Sequence, residues 1–281
     1  MPLTDLVRLL NSPEGVFPHH YSRKGLDQPF VAAQGRVFLH YAGIRVESRF
    51  IPVLETRSGK LHGHAATILA FGLATNKPLS GEALFVLPTD DEEFIYLDRL
   101  VRTLHALNYL TRPTRGDLLL PVHARHVLSV PTNHGLAFEE ILRPCGLFPE
   151  QVTLEIDIAG IEETERLVRA VANYRSRGYG IAISRFGRKS LDFHLLHELR
   201  PDIVKLDPLL VASTRPLKRI VASLVDLPSR VLIDGVDSTA TRCAAAAGGI
   251  DLLQAHEPGR RLLHAVRAFP TNAQDSIRSV A

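Results

Sequence analysis

The sequence predicts an α/β fold, a TIM-like (β/α)8 barrel with a short N-terminal extension. Three observations carry that expectation. From residue 92 onward, short apolar runs alternate with segments whose apolar residues recur at helical spacing. The links between them are short, which favours parallel strands joined by right-handed crossovers. The apolar runs number seven or eight and no Gly-rich phosphate fingerprint follows an early one, so a closed barrel is favoured over an open doubly wound sheet.

Taken in order, residues 1–30 carry little pattern beyond a brief helix at Thr4–Leu10, with Thr4 as its N-cap, and a turn-rich extension. RVFLHYAGIRVESRFIPVLE (36–55) reads as strands broken near Gly43, TRSGK (56–60) as a turn, and LHGHAATILAFGL as a second extended run. Helices are expected at 92–110, 136–146, 162–178, 190–200, 216–227 and 238–249, with a short last one over LLHAVRAF. Strands are expected at 117–124, 151–157, 180–184, 202–207, 230–236 and 250–256. Gly146 and Gly178 stop the helices they follow.

Composition narrows the classes. At 45% hydrophobic and 22% charged the chain is an ordinary globular one. Lys and Arg number 33 against 30 Asp and Glu; with no basic run or basic aromatic helix, direct nucleic-acid binding is not expected. No run reaches transmembrane length and the start lacks a signal-peptide pattern, so no membrane is expected. Cys145 and Cys243 make no disulfide framework, and a reducing cytoplasm is the simplest compartment.

In a barrel the chemistry sits at the carboxyl ends of the strands. The residues expected there are His62 and His64, His123, Glu155 with Asp157, Ser184 with Arg185, Lys205 with Asp207, Asp234 with Asp237, and Gln254 with His256. Singly, such residues more often cap strands; as a ring on one face they define a site. Arg185 brings a permanent positive charge among the carboxylates, and it is expected to pair with Glu155 where a cation would otherwise sit. His62, His64 and His123 form a second candidate, a transition-metal site, against which a structural role for the three is the favoured reading.

LEI (154–156), SRFG (184–187), DIVKLD (202–207), IDGVDS (233–238) and LLQAH (252–256) resemble, in order and spacing, the blocks of the bacterial EAL-domain cyclic-di-GMP phosphodiesterases, over residues 47–265. The resemblance implies an EAL-type barrel over residues 47–281 and an extension over 1–46. It also implies where the family's metal ligands fall. The name-giving Glu falls on Ala65 and the phosphate-contacting Arg on Leu69, in HGHAATIL. The literal EAL at Glu82–Leu84 is out of place. The metal-binding Asn falls on His123, the paired aspartates on Ser184 and Arg185, and the two late glutamates on Asp234 and Asp237; Glu155, Lys205 and Gln254 are kept.

That pattern implies a vestigial site with no catalytic residue, metal or cofactor, and no phosphodiesterase activity. The expected role is regulation through an unidentified protein partner, a second copy of the chain being a further candidate. The alternative implied is a cyclic-di-GMP receptor that does not hydrolyse its ligand, with Arg185, Arg188, Lys189 and Lys205 meeting the phosphates. Leu69 and Ile51, where the family has Arg and Gln, argue for weak binding or none.

Overall fold

The structure, a computed structural model, describes residues 2–12, 28–112, 116–158, 161–187, 191–207, 210, 214–235 and 239–254. Arg188, Lys189, Asp237, His256 and the expected LLHAVRAF helix lie outside the described residues.

Helix α1 (Leu3–Leu10) precedes strands β1 (Phe30–Ala33), β2 (Arg36–Tyr41), β3 (Ile44–Glu55), β4 (Leu61–Gly72) and β5 (Pro78–Leu79). Helices α2 (Gly81–Leu84) and α3 (Asp91–Tyr109) lead into β6 (Asp117–Val122). Then come α4 (Ala124–Ser129), α5 (Leu136–Cys145), β7 (Val152–Asp157), α6 (Thr164–Ser176), β8 (Gly180–Phe186), α7 (Phe193–Leu199), β9 (Ile203–Leu206), α8 (Thr214–Ala222), β10 (Arg230–Ile233), α9 (Thr239–Ala247) and β11 (Leu252–Gln254).

β4, β6, β7, β8, β9, β10 and β11 run parallel, and β3 closes the ring by pairing with both β4 and β11. Both of those last pairings are antiparallel, so the parallel order expected of the repeated strand–helix units does not extend to β3. The reason is local. Residues 56–60 are too few for a crossover, and two strands so closely linked can pair only antiparallel. β3 and β4 are also long, twelve residues each, and outrun the barrel. Their free ends form, with β2, β1 and β5, an antiparallel flap beside the mouth. β4 and β6 approach closely at Gly63 and Gly116: a Cβ on Gly63 would lie 2.1 Å from the Asp117 carbonyl oxygen.

Asp90 caps α3, its carboxylate accepting from the Glu93 N–H at 2.7 Å. α3 is buried on nearly all sides, because it lies against both the barrel and the flap. α5 stops at Gly146, whose left-handed φ of 68° lets its N–H and that of Leu147 turn back to the helix carbonyls.

Candidate functional site at the barrel mouth

Side chains alternate along each strand, so the barrel interior is built in layers. One layer is apolar: Val53, Ala65, Leu119, Ala182, Ile203, Leu232 and Leu252 pack together, each at most 4% exposed. Thr153, opposite Leu119, completes the ring of eight strands. Two residues further along the parallel strands the interior turns polar, with Glu155, Ser184, Lys205, Asp234 and Gln254. Period two therefore converts a floor of hydrocarbon into a charged mouth within a single step. Ala65 belongs to the floor, and its methyl group offers the layer above no donor.

Lys205 is the centre of that layer. Its Nζ donates to Glu155 Oε1 at 3.0 Å and lies 3.6 Å from Asp234 Oδ2. Burial opposes the ammonium charge, but the two carboxylates outweigh it and hold Lys205 above its usual pKa. Gln254 is 4% exposed, and its Oε1 has no hydrogen-bond partner.

Ser184 and Arg185 owe their positions to a bulge. Ile183 pairs with Val204 and Phe186 with Leu206, so β8 spends two residues where β9 spends one. Arg185 takes the left-handed conformation, φ 55°, while Ser184 stays buried. The bulge turns Arg185 toward Asp157, whose Oδ2 lies 3.2 Å from its Nη1; the Arg185 side chain remains 49% exposed. The expected Arg185–Glu155 pair is therefore incorrect. Lys205 takes Glu155, and the left-handed turn at Arg185 gives the guanidinium to Asp157 instead.

His123 follows β6 and caps α4, its Nδ1 accepting from the Arg125 N–H at 3.1 Å. Its ring stacks on Phe85 and meets Phe94 edge-on, with centroids 5.7 and 4.8 Å away. Behind it lies a buried network that the sequence reading missed. Asp98 accepts from Arg102 Nε at 3.0 Å, Arg102 Nη2 reaches His126 Nε2 at 3.2 Å, and the guanidinium lies over Phe138. Asp98 Oδ1 also accepts from the His123 N–H at 3.4 Å. The available signal was an Asp and an Arg four apart on the apolar helix α3.

His62 and His64 do not join this site. They open β4, where Gly63 pairs with the first residue of β6, Asp117, and His64 with Leu118. His123 is five residues beyond Leu118, roughly 17 Å along the strand at about 3.3 Å per residue. His62 Nδ1 faces Arg230 and its Nε2 lies 3.6 Å from Asp117; His64 contacts Tyr109 and Arg112. The His62–His64–His123 metal candidate is thus overturned by the direction of β4. Among the described residues no three His, Cys, Asp or Glu side chains are grouped so as to hold a metal ion. No helix among them is long and apolar enough to cross a membrane.

The class is a closed α/β barrel with one antiparallel strand. The EAL domain model matches residues 42–254, and the chain belongs to the EAL-domain family. No curated protein matches the sequence. Among solved structures, BlrP1 of Klebsiella pneumoniae in its calcium and cyclic-di-GMP complex is similar at 21% identity, with a TM-score of 0.66 over 81% of this chain and 57% of that one. A standalone EAL protein of Vibrio cholerae O395, in its cyclic-di-GMP-bound form, gives 22% identity and a TM-score of 0.63, over 75% of this chain and 89% of that one. YkuI of Bacillus subtilis, in complex with its substrate cyclic-di-GMP and calcium, gives 19% and 0.65, over 79% and 59%. The chain thus spans little more than half the length of BlrP1 and YkuI.

Proposed function

We propose that this chain is a non-hydrolytic member of the EAL family, in cyclic-di-GMP signalling, that regulates through contact with another protein. The observation that carries the reading is the replacement of ligand positions around the kept Lys205–Glu155 pair, with Ala65 and Ser184 in the barrel and the Arg185 guanidinium on Asp157. A hard divalent cation needs several oxygen ligands, mainly carboxylates. The residues of the mouth do not fit that need. Ala65 has no donor, Ser184 has a neutral hydroxyl, and Arg185 is itself a cation beside Asp157. The two carboxylates nearest the centre already neutralise Lys205. A dication there would meet the Arg185 guanidinium in addition to the kept Lys205, and like charges repel. Ala65, His123, Glu155, Ser184, Arg185, Lys205, Asp234, Asp237 and Gln254 are then read as the positions of a vestigial site, in a cytoplasmic protein.

One observation favours the second reading, a receptor that binds cyclic-di-GMP without cleaving it. The Arg185 side chain is half exposed at the mouth, and a guanidinium there suits a phosphate. Calorimetric titration of the full chain with cyclic-di-GMP, with and without Mg²⁺ or Ca²⁺, separates the two. No heat and no change in melting temperature is the expected result. Micromolar binding that needs no metal would transfer the role to the receptor reading.

A further inference from the structure

A second polar cavity lies outside the barrel, and the path of β2 creates it. β2 pairs with β3 only over Leu39–Tyr41. Nearer its start β2 leaves β3, and an α3 side chain replaces the missing strand. Asn108 Oδ1 accepts from the Val37 N–H at 2.9 Å, and its Nδ2 donates to the Val37 carbonyl at 2.8 Å. β11 takes up the same edge of β3 only from Val53 onward. The gap between them opens as a cavity of about 420 Å³ lined by Arg36, Phe38, Ser48, Phe50, Asn108 and Arg112, among others.

The charges of this cavity do not balance. Arg112 lies over the Phe50 ring, 5.3 Å from its centroid, and its Nη2 meets His64 Nε2 at 3.2 Å. Neither contact carries negative charge. His64 is held neutral: burial, then the Arg112 charge, lower its pKa to about 4. Its Nδ1 faces the Tyr109 hydroxyl at 3.4 Å, which leaves Nε2 as acceptor for Arg112. Arg112 Nε is buried with no partner. Arg36, exposed, lines the same cavity, and among the described residues no ion pair is formed by it. Glu47, the one acidic lining residue, is already paired with Arg45 at 3.0 Å. A partly buried guanidinium without a counter-ion is costly unless something else supplies the negative charge.

We infer that this cavity is an anion site for a phosphate-bearing small molecule, with the phosphate held between Arg36 and Arg112. Two guanidinium groups lining one cavity suit a dianion better than a single carboxylate. The rings of Phe38 and Phe50, which line the same cavity, suit a neutral, partly apolar remainder. The inference is independent of the reading of the barrel mouth.

The test uses the full chain and inorganic phosphate as the probe, by calorimetry in a low-salt buffer. Wild type is compared with Arg36→Gln, Arg112→Gln and the exposed α6 control Arg169→Gln. The expected result is saturable binding, at least about tenfold weaker in the first two variants, the loss of roughly one charge-assisted hydrogen bond, and unchanged in Arg169→Gln. Arg36 is on the surface, so its variant keeps the test valid if Arg112→Gln folds poorly. The inference is overturned by the absence of saturable binding, by wild-type affinity in Arg36→Gln, or by an equal loss in Arg169→Gln, which would mean binding to surface charge in general.

Discussion

Lys205 is held by two carboxylates in a water-poor layer, so each of the three depends on the others. Removing one partner from a buried ionic set strands the remaining charge, at about 3 to 5 kcal/mol. Lys205→Met is therefore expected to lower unfolding stability by that order in a urea titration. Adding Glu155→Gln is expected to return part of the loss, because the stranded carboxylate is gone. A Lys205→Met variant as stable as wild type would show that the ion set contributes nothing. At this scale the sequence was informative about identity and less so about pairing. SRFG correctly delivered a cation to the strand end. Its partner depended on the Arg185 bulge and on which carboxylate Lys205 reached first, and neither is encoded in residue spacing.

At the scale of elements, α3 carries much of what spacing could not reveal. It packs against both barrel and flap, and its buried polar groups are matched to neighbours far away in sequence. His105 is fully buried with its Nδ1 on Ser48 at 2.9 Å, and burial lowers its pKa to about 3. His64 on β4, near 4, behaves alike, and burial also depresses His126 and His134. These groups titrate near 6.5 when unfolded. Between that value and the folded values the unfolded chain binds more protons, so stability falls as pH drops from about 6.5 toward 4 and is insensitive to these groups above it. Each fully contributing histidine adds a slope of up to about 1.4 kcal/mol per pH unit. Denaturant midpoints measured at pH 7, 5.5 and 4.5 check this; equal midpoints would contradict it.

The flap gives a second prediction at this scale. Asn108 is the partner of both backbone groups of Val37. Asn108→Ala is expected to cost about 2 kcal/mol, since a buried N–H and C=O lose their partners. It should also accelerate amide exchange at Val37 more than at Leu120 in the barrel. Uniform exchange across both would mean that Asn108 acts on the whole fold and not on β2.

For the whole molecule, the alternation of runs and helices made the barrel legible, and the ordered blocks from LEI to LLQAH made the family legible. The antiparallel β3 was signalled by the short TRSGK link, a turn too brief for any crossover. The Asp98–Arg102–His126 network and the cavity under β2 were not legible, because the first depends on α3 meeting α4 and the second on α3 meeting β2 and β3, more than fifty residues away. On the proposed function, the mouth of this EAL barrel, its carboxylates engaged by Lys205 and Arg185, does not use divalent ions to cleave a phosphodiester. The most direct measurement is a cyclic-di-GMP hydrolysis assay on the full chain with Mg²⁺ or Mn²⁺, following the linear dinucleotide product. The expected result is no product above the protein-free rate with either ion. Metal-dependent product that disappears in Glu155→Gln would contradict it.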